Sequence, residues 1–294
     1  MLPKSKIEKI LIPYDFSETA ALALEHGVFM AKLLRAEIKL VHVLEAMSFT
    51  SAISHAFSGF EKKIETASDD KLNEVAEKIH NESGVTVSIA TEVGRIYKRI
   101  AHTAKVWHAD LIIMGTHGVS GPQEHVVGTN TVRVIAEAPC PVISVQTHAR
   151  KVGFTRILVP IDDSANSRQK VPYVLTLADA YKAHVFILAF NPNTSKEDVK
   201  RKFEIKVEQT ETFVQDYDII TQVVYSDDKN VGEATLKFAN QNDIDLILIM
   251  TEQEFSITGT SLGAFANHII NHSKTPVLSC GPREVNANTM SVGY

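Results

Sequence analysis

Apolar residues along the chain fall into short unbroken runs, separated by longer stretches with helical spacing. In the first half the runs are Ile10–Ile12, Ile38–Val43, Val85–Ala90, Leu111–Met114 and Val142–Val145. Between them, apolar positions recurring every three or four residues predict helices over Thr19–Leu34, Ile96–Val106 and Thr129–Glu137, with Ser17 placed to cap the first. A longer polar-amphipathic stretch follows the second run and reaches about Asn81. Runs without polar alternation predict strands covered by helices on both faces. Strands separated by helices predict right-handed crossovers and a parallel sheet.

The pattern then repeats. KILIPYDFSETA near the start resembles RILVPIDDSANS past the middle, with Pro13 matched to Pro160 and Asp15 to Asp162 at an offset of 147. Asp110 and Asp245, Gly128 and Gly263, and Pro141 and Pro276 match at an offset of 135. Constant offsets on each side of one gap predict a duplicated domain. The expected organisation is one domain over residues 1–147, a second over 154–283 and a polar tail over 284–294. The expected fold is α/β: two tandem, doubly wound, parallel five-stranded sheets of Rossmann-like type.

Composition narrows the function classes. The chain has 294 residues, 44% hydrophobic and 22% charged, the balance of a soluble protein with buried cores. Residues 1–150 carry 16 Lys and Arg against 17 Asp and Glu, and the remainder 14 against 18. Neither half has the basic excess that holds a protein on nucleic-acid phosphates or an anionic membrane, so neither partner is expected. No apolar segment approaches the ~20 residues of a membrane span, and the opening MLPKSKIEKI does not read as a signal peptide. Cys140 and Cys280 are far apart and in no metal-ligand spacing. The expected compartment is the cytoplasm.

In doubly wound sheets, ligands bind beyond the carboxyl ends of the strands, where strand order reverses. Pro13, Tyr14 and Asp15 follow the first strand. After the fourth come Gly115, Thr116, His117 and Gly118, then nine residues, then Gly128, Thr129, Asn130 and Thr131 at the start of the last helix. Glycine allows close backbone approach, and a helix start offers free amides and the positive end of a dipole to an anion. The chain contains neither G-x-x-x-x-G-K-[ST] nor G-x-G-x-x-G. Phosphates would therefore be held by amides and hydroxyls, with magnesium reached only through the phosphates.

The spacing G-x2-G-x9-G-[ST], with ILIPYDFSETA before it and CPVISV after it, resembles the universal stress protein family, and through the repeat the resemblance covers both halves of the chain. The resemblance implies an adenine nucleotide alpha hydrolase-like fold and an ATP site in the first domain. By this resemblance Asp15 takes ribose or adenine-side hydrogen bonds and Val43 offers backbone groups to the adenine edge. Met114, Gly115, His117 and Gly118 wrap the ribose and first phosphates, and Gly128, Thr129, Asn130 and Thr131 hold the terminal phosphates. In the second copy Gly115 becomes Met250, Gly118 becomes Gln253, Thr129 becomes Ala264 and Val43 becomes Phe190, while Glu252 and Glu254 add negative charge. That copy is expected not to bind ATP in the ordinary way.

Plainer readings stand beside these. Asp15 could cap the first helix, and His117 could be a simple contact; no oriented nucleophile–base pair is evident, so no catalytic residue is assigned. His268 and His272 have metal-compatible spacing but no third ligand. Cys140 reads as a small buried residue, Trp107 as packing, and the charged run Glu61–Lys78 as a solvated helix face or a lid. Three function classes remain: a nucleotide-binding regulatory protein of stress-response type, a slow ATP-hydrolysing or ATP-dependent enzyme, and a ligand-free interaction scaffold. The resemblance implies an edge-to-edge assembly through the last strand, so Val142–Val145 is expected to meet Val277–Ser279 of the same chain, which covers both edges, gives a pseudo-dimer and leaves room for a homodimer.

Overall fold

The computed structural model describes residues 3–45, 54–117, 127–149, 151–251, 253–256 and 259–282. The first half contains β1 (Lys9–Pro13), α1 (Glu18–Leu34), β2 (Glu37–Leu44), α2 (Ser54–Ser83), β3 (Val87–Val93), α3 (Ile96–Trp107), β4 (Leu111–Gly115), α4 (Thr129–Glu137) and β5 (Val142–Val145). The second contains β6 (Arg156–Ile161), α5 (Val171–Tyr181), β7 (His184–Phe190), α6 (Glu197–Gln215), β8 (Thr221–Ser226), α7 (Val231–Gln241), β9 (Leu246–Met250), β10 (Gln253–Ser256), β11 (Gly259–Leu262), α8 (Ala264–His272) and β12 (Val277–Cys280).

Ten strands form one sheet in the order β3-β2-β1-β4-β5-β12-β9-β6-β7-β8. Within this sheet, every pairing inside a half is parallel. The two halves meet where β5 and β12 run antiparallel, with Val277 opposite Ser144, Leu278 opposite Ile143 and Ser279 opposite Val142. Two five-stranded sheets are thus continuous as one. The hairpin β10–β11 forms a second, two-stranded sheet, which the apolar pattern did not announce.

Unbroken apolar runs are explained by the layers. Ile10 and Ile12 point into one buried cluster and Leu11 into another, each cluster extending through both halves. With helices over both faces, each strand residue meets core whichever way it points. The third strand departs from expectation, running Val87–Val93 rather than Val85–Ala90. It pairs only with β2, from Ile38–Val87 to Leu44–Val93, so its open edge tolerates Thr91 and Glu92.

The repeat extends to backbone strain. Arg35 and Lys182 end α1 and α5 in the left-handed region at φ 56° and 52°, and His108 and Asp243 do so after α3 and α7 at 56° and 48°. These pairs keep the sequence offsets of 147 and 135. Asp110 and Asp245 also serve alike: Asp110 accepts the amides of Glu8 and Lys9, and Asp245 those of Thr155 and Arg156, tying the first strand of each half to its neighbour.

The 30-residue α2 turns Leu72, Ala76 and Ile79 into the core, so its C-terminal half is a packed element rather than a lid. Trp107 packs against the second cluster, with Lys9 and Lys39 over its ring. Cys140 is half-buried rather than enclosed, because it lies in the turn before β5. His268 and His272 stack at 4.4 Å, and among the described residues no group of three His, Cys, Asp or Glu could hold a metal. No helix among the described residues is long and apolar enough to cross a membrane.

Where the halves join, His26 of α1 is buried, bonds the Ala149 carbonyl through Nε2 at 3.1 Å and stacks on Phe154. Its Nδ1 has no hydrogen-bond partner among the described residues. Burial holds the imidazole below its ordinary 6.5, against the opposing pull of the Ala149 carbonyl, Glu25 and Asp245. The unfolded chain therefore binds the proton more readily than the native one. This contribution to stability is whole above pH 6.5 and is lost as pH falls through the lower folded value. The variant His26→Gln keeps a donor for Ala149 without a titrating ring. It should lose less stability than the parent chain between about pH 7.5 and 5 in urea unfolding; equal losses would place the acid sensitivity elsewhere.

Candidate functional site

The strand order turns back between β1 and β4 in the first half and between β6 and β9 in the second. Crossover connections leave those neighbours in opposite directions, opening a crevice at their carboxyl ends.

In the first half, Pro13 ends β1 and Tyr14 donates its amide to Val41 O at 2.8 Å. His42 Nδ1 meets the Tyr14 carbonyl at 2.8 Å. Phe16 takes φ 65°, a costly conformation for a bulky residue, and packs on Tyr14 and His42. Ser17 is the helix cap, accepting the Ala20 amide. Asp15 lies outside the helix, with Oδ1 accepting the Ser17 amide at 3.1 Å. Capping is therefore not what this carboxylate supplies.

In a parallel sheet the N–H and C=O groups of successive residues point to alternate sides. The Tyr14–Val41 bond shows that Val41 faces β1. Val43 faces the same side two residues later, past the point where β1 has ended.

At the end of β4, Thr116 donates its amide to Val145 O, and Gly128 N donates to Thr116 O at 2.8 Å. The buried Thr131 hydroxyl donates to the Gly115 and Thr116 carbonyls, so it ties the strand end to α4. Thr19 Oγ1 donates to His117 O, tying the same loop to α1, and Thr116 Oγ1 meets His117 Nδ1 at 2.9 Å. The Met114 side chain is buried in the second cluster, which leaves only its backbone at the crevice. Gly128 begins α4 without a side-chain cap, so the amides of Thr129 and Asn130 open a helix whose first bonds, from Thr131 and Val132, return to Gly128 O. Gly118 lies outside the described residues.

Gly115 answers to packing. A Cβ there would lie 2.8 Å from the carbonyl carbon, Cβ and Oγ1 of Thr19. Its glycine lets the first turn of α1 lie directly on the end of β4.

The second crevice shows what happens without that glycine. Met250 stands at the matching position, and α5 does not start until Val171, the match of Leu24. Residues 165–170 form turns where the first half has helix. Phe190 is buried at the position of Val43. Lys170, the match of Ala23, is buried against Asp162 and Ser167. Sequence reasoning missed Thr19, Thr116 and Lys170. The last was readable, since an alanine replaced by a lysine under a helix start is a conspicuous difference between copies.

The sequence pattern of the universal stress protein family matches residues 6–146 and again 153–280. Among curated relatives, the chain is 29% identical over 153 residues to universal stress protein MJ0577 of Methanocaldococcus jannaschii, covering 47% of this chain and 94% of that protein. A second protein of that organism, MJ0531, is 29% identical over 140 residues, covering 47% and 82%. Two crystal structures share the fold across both halves. One is a universal stress protein from Archaeoglobus fulgidus, with TM-score 0.72, 20% identity and coverage of 93% and 98%. The other is a putative universal stress protein from Pseudomonas aeruginosa, with TM-score 0.70, 18% identity and coverage of 95% and 94%. With the family pattern spanning each half in turn, this chain belongs to the universal stress protein family as a tandem two-domain member.

Proposed function

We propose that the first half binds an adenine nucleotide, ATP above all, and that the chain acts as a nucleotide-binding regulatory protein of the stress response. The observation that carries this reading is the uncapped start of α4, bound to the end of β4 through Gly128 and Thr131 and facing the same crevice as Asp15 and Val43. Asp15 would bond the ribose or adenine side, and the Val43 backbone the adenine edge. Pro13 and Tyr14 shape the wall that carries Asp15. The backbone at Met114, Gly115, His117 and Gly118 would lie along the ribose and first phosphates. Gly128, Thr129 and Asn130 would present amides to the terminal phosphates, with Thr131 holding the cradle in place. A side chain at Gly128 would have its Cβ 3.0 Å from Thr116 O, which suits a site needing bare backbone. Magnesium would arrive with the phosphates.

Domain limits of 1–147 and 154–283, a pseudo-dimeric arrangement of the halves and a cytoplasmic location complete the reading. The β5–β12 pairing supports the second of these, because each half covers the other's last strand. The purified chain should retain or take up one nucleotide, identified by mass spectrometry and counted by calorimetry. Gly118→Trp should weaken uptake at least about a hundredfold by filling phosphate space. Two equivalents per chain, or uptake indifferent to that substitution, would defeat the assignment to the first half.

A further inference from the structure

The second crevice contains a cavity of about 60 Å³, walled by Asp162, Lys170, Phe190, Met250, Thr251 and Phe265. That volume suits a few water molecules or an ion of four or five heavy atoms; a nucleoside is far too large. One wall carries an unusual group. Lys170 is 2% exposed, and lysine is almost never buried this completely unless paired. Its ammonium gives one hydrogen bond, to Ser167 O. It also stands immediately before α5, the end of a helix dipole that disfavours a cation.

Asp162 does not fully account for it. The Asp162 carboxylate also accepts the Ser164 amide and hydroxyl. Burial raises its pKa, but these bonds, together with Lys170 and Ser167, hold it below the usual value. A second ammonium, Lys206 of α6, donates to the carbonyls of Asp162, Asp163 and Ser164. Lys170 and Lys206 repel one another, and Arg168 bears on Lys206 as well. Of the charged side chains, Lys170 and Asp162 line the cavity, Lys206, Arg168 and Asp163 stand outside its lining, and Cys280 also bears on Lys170. Burial pushes the Lys170 ammonium down to about 8, so the site holds its positive charge at a cost.

The opposite wall favours negative charge. Gly263 and Ala266 line the cavity, and α8 begins at Ala264 with no side-chain cap on its first turn. A buried ammonium, offset in part by the Asp162 carboxylate, and a helix start therefore face one small space.

We propose that this cavity is a binding site for a compact oxyanion of phosphate or small-carboxylate size, anchored by Lys170 and received by the first-turn amides of α8. It stands apart from the nucleotide reading of the first half. The second crevice, having lost its nucleotide-sized space to Lys170, Phe190 and Met250, becomes a sensor for a smaller anion. The burial of Lys170, 2% exposed, strengthens the contact between ammonium and oxyanion.

The test uses the full chain carrying Gly118→Trp, so that the first half does not contribute. Inorganic phosphate and, separately, acetate are titrated by calorimetry at constant ionic strength with chloride. One saturable equivalent of either is expected, and the anion preferred assigns the class. Lys170→Met should weaken uptake at least about tenfold. Val231→Trp, which fills the cavity from α7 and leaves the charged groups intact, should do the same. Circular dichroism checks that each variant is folded; if Lys170→Met is not, Val231→Trp decides. Saturable uptake of neither anion, or uptake that survives substitution of the cavity wall, would overturn the site.

Discussion

Gly115→Met should destabilise the chain by about 2–3 kcal/mol, at the upper end of what overpacking costs, and should abolish nucleotide uptake with it. The substitution installs the residue that the second half carries at Met250. A Cβ at Gly115 would lie 2.8 Å from three atoms of Thr19, one of them backbone, so no side-chain rotation can relieve the contact. The least costly escape is for α1 to give up its first turn, as the second half has done by starting α5 at Val171. That escape removes the Ser17 cap and the Thr19 bond to His117 O, and with them the support of the crevice. Denaturant midpoints read the loss of stability, and a crystal structure of the variant should show a helix beginning near Ala23 rather than Glu18. Unchanged stability with α1 intact would break the link between this glycine and the helix start.

Much of the architecture was legible because the buried strands are short and uninterrupted. Ile10–Ile12, Leu111–Met114 and Val142–Val145 fall inside the observed strands, and the offsets of 147 and 135 reappear in positive-φ residues and aspartate clamps. The pairing of β5 with β12 was also legible, because two exposed last-strand edges in one chain need cover, and it is this pairing that merges the two sheets into one. The hairpin Gln253–Leu262 was missed because it lies in the segment read as a degraded glycine loop.

The candidate site was legible in outline and less so in its reasons. Asp15, Val43 and the Gly128 helix start lie where strand order predicts a ligand. Gly115 packs directly on Thr19, and the Thr131 hydroxyl serves the loop. Glycine and threonine fit both tasks, so the residue type alone could not separate them. Lys170 escaped notice for another reason. The comparison between copies was made at the family's ligand positions, and Ala23 is not among them.

The second large effect is expected at the seam. Leu278 is fully buried, sits opposite Ile143 in the antiparallel pair and belongs to the core cluster shared by both halves. Leu278→Ala should cost about 2–5 kcal/mol through lost burial and the cavity left behind. Leu278→Asp should cost more than about 4 kcal/mol, because it buries a carboxylate, ionised or protonated, in the apolar core cluster. The damage should be specific. The halves are held by this pairing, by Ser5 bonded to Pro172 and Thr176, by the Lys4–Asp179 ion pair and by His26 on Ala149. The last three lie along α1 and α5, and α4 meets β11 on the other face, but none of these contacts aligns the strands. Leu278→Asp should therefore broaden the scattering envelope and admit protease near residues 147–153 before either half unfolds. Loss of all structure in a single step would show instead that the seam is part of each half's own core and that neither half folds without the other. Either result is read from one comparison, between the protease nicking rate and the loss of far-ultraviolet dichroism in the same denaturant series.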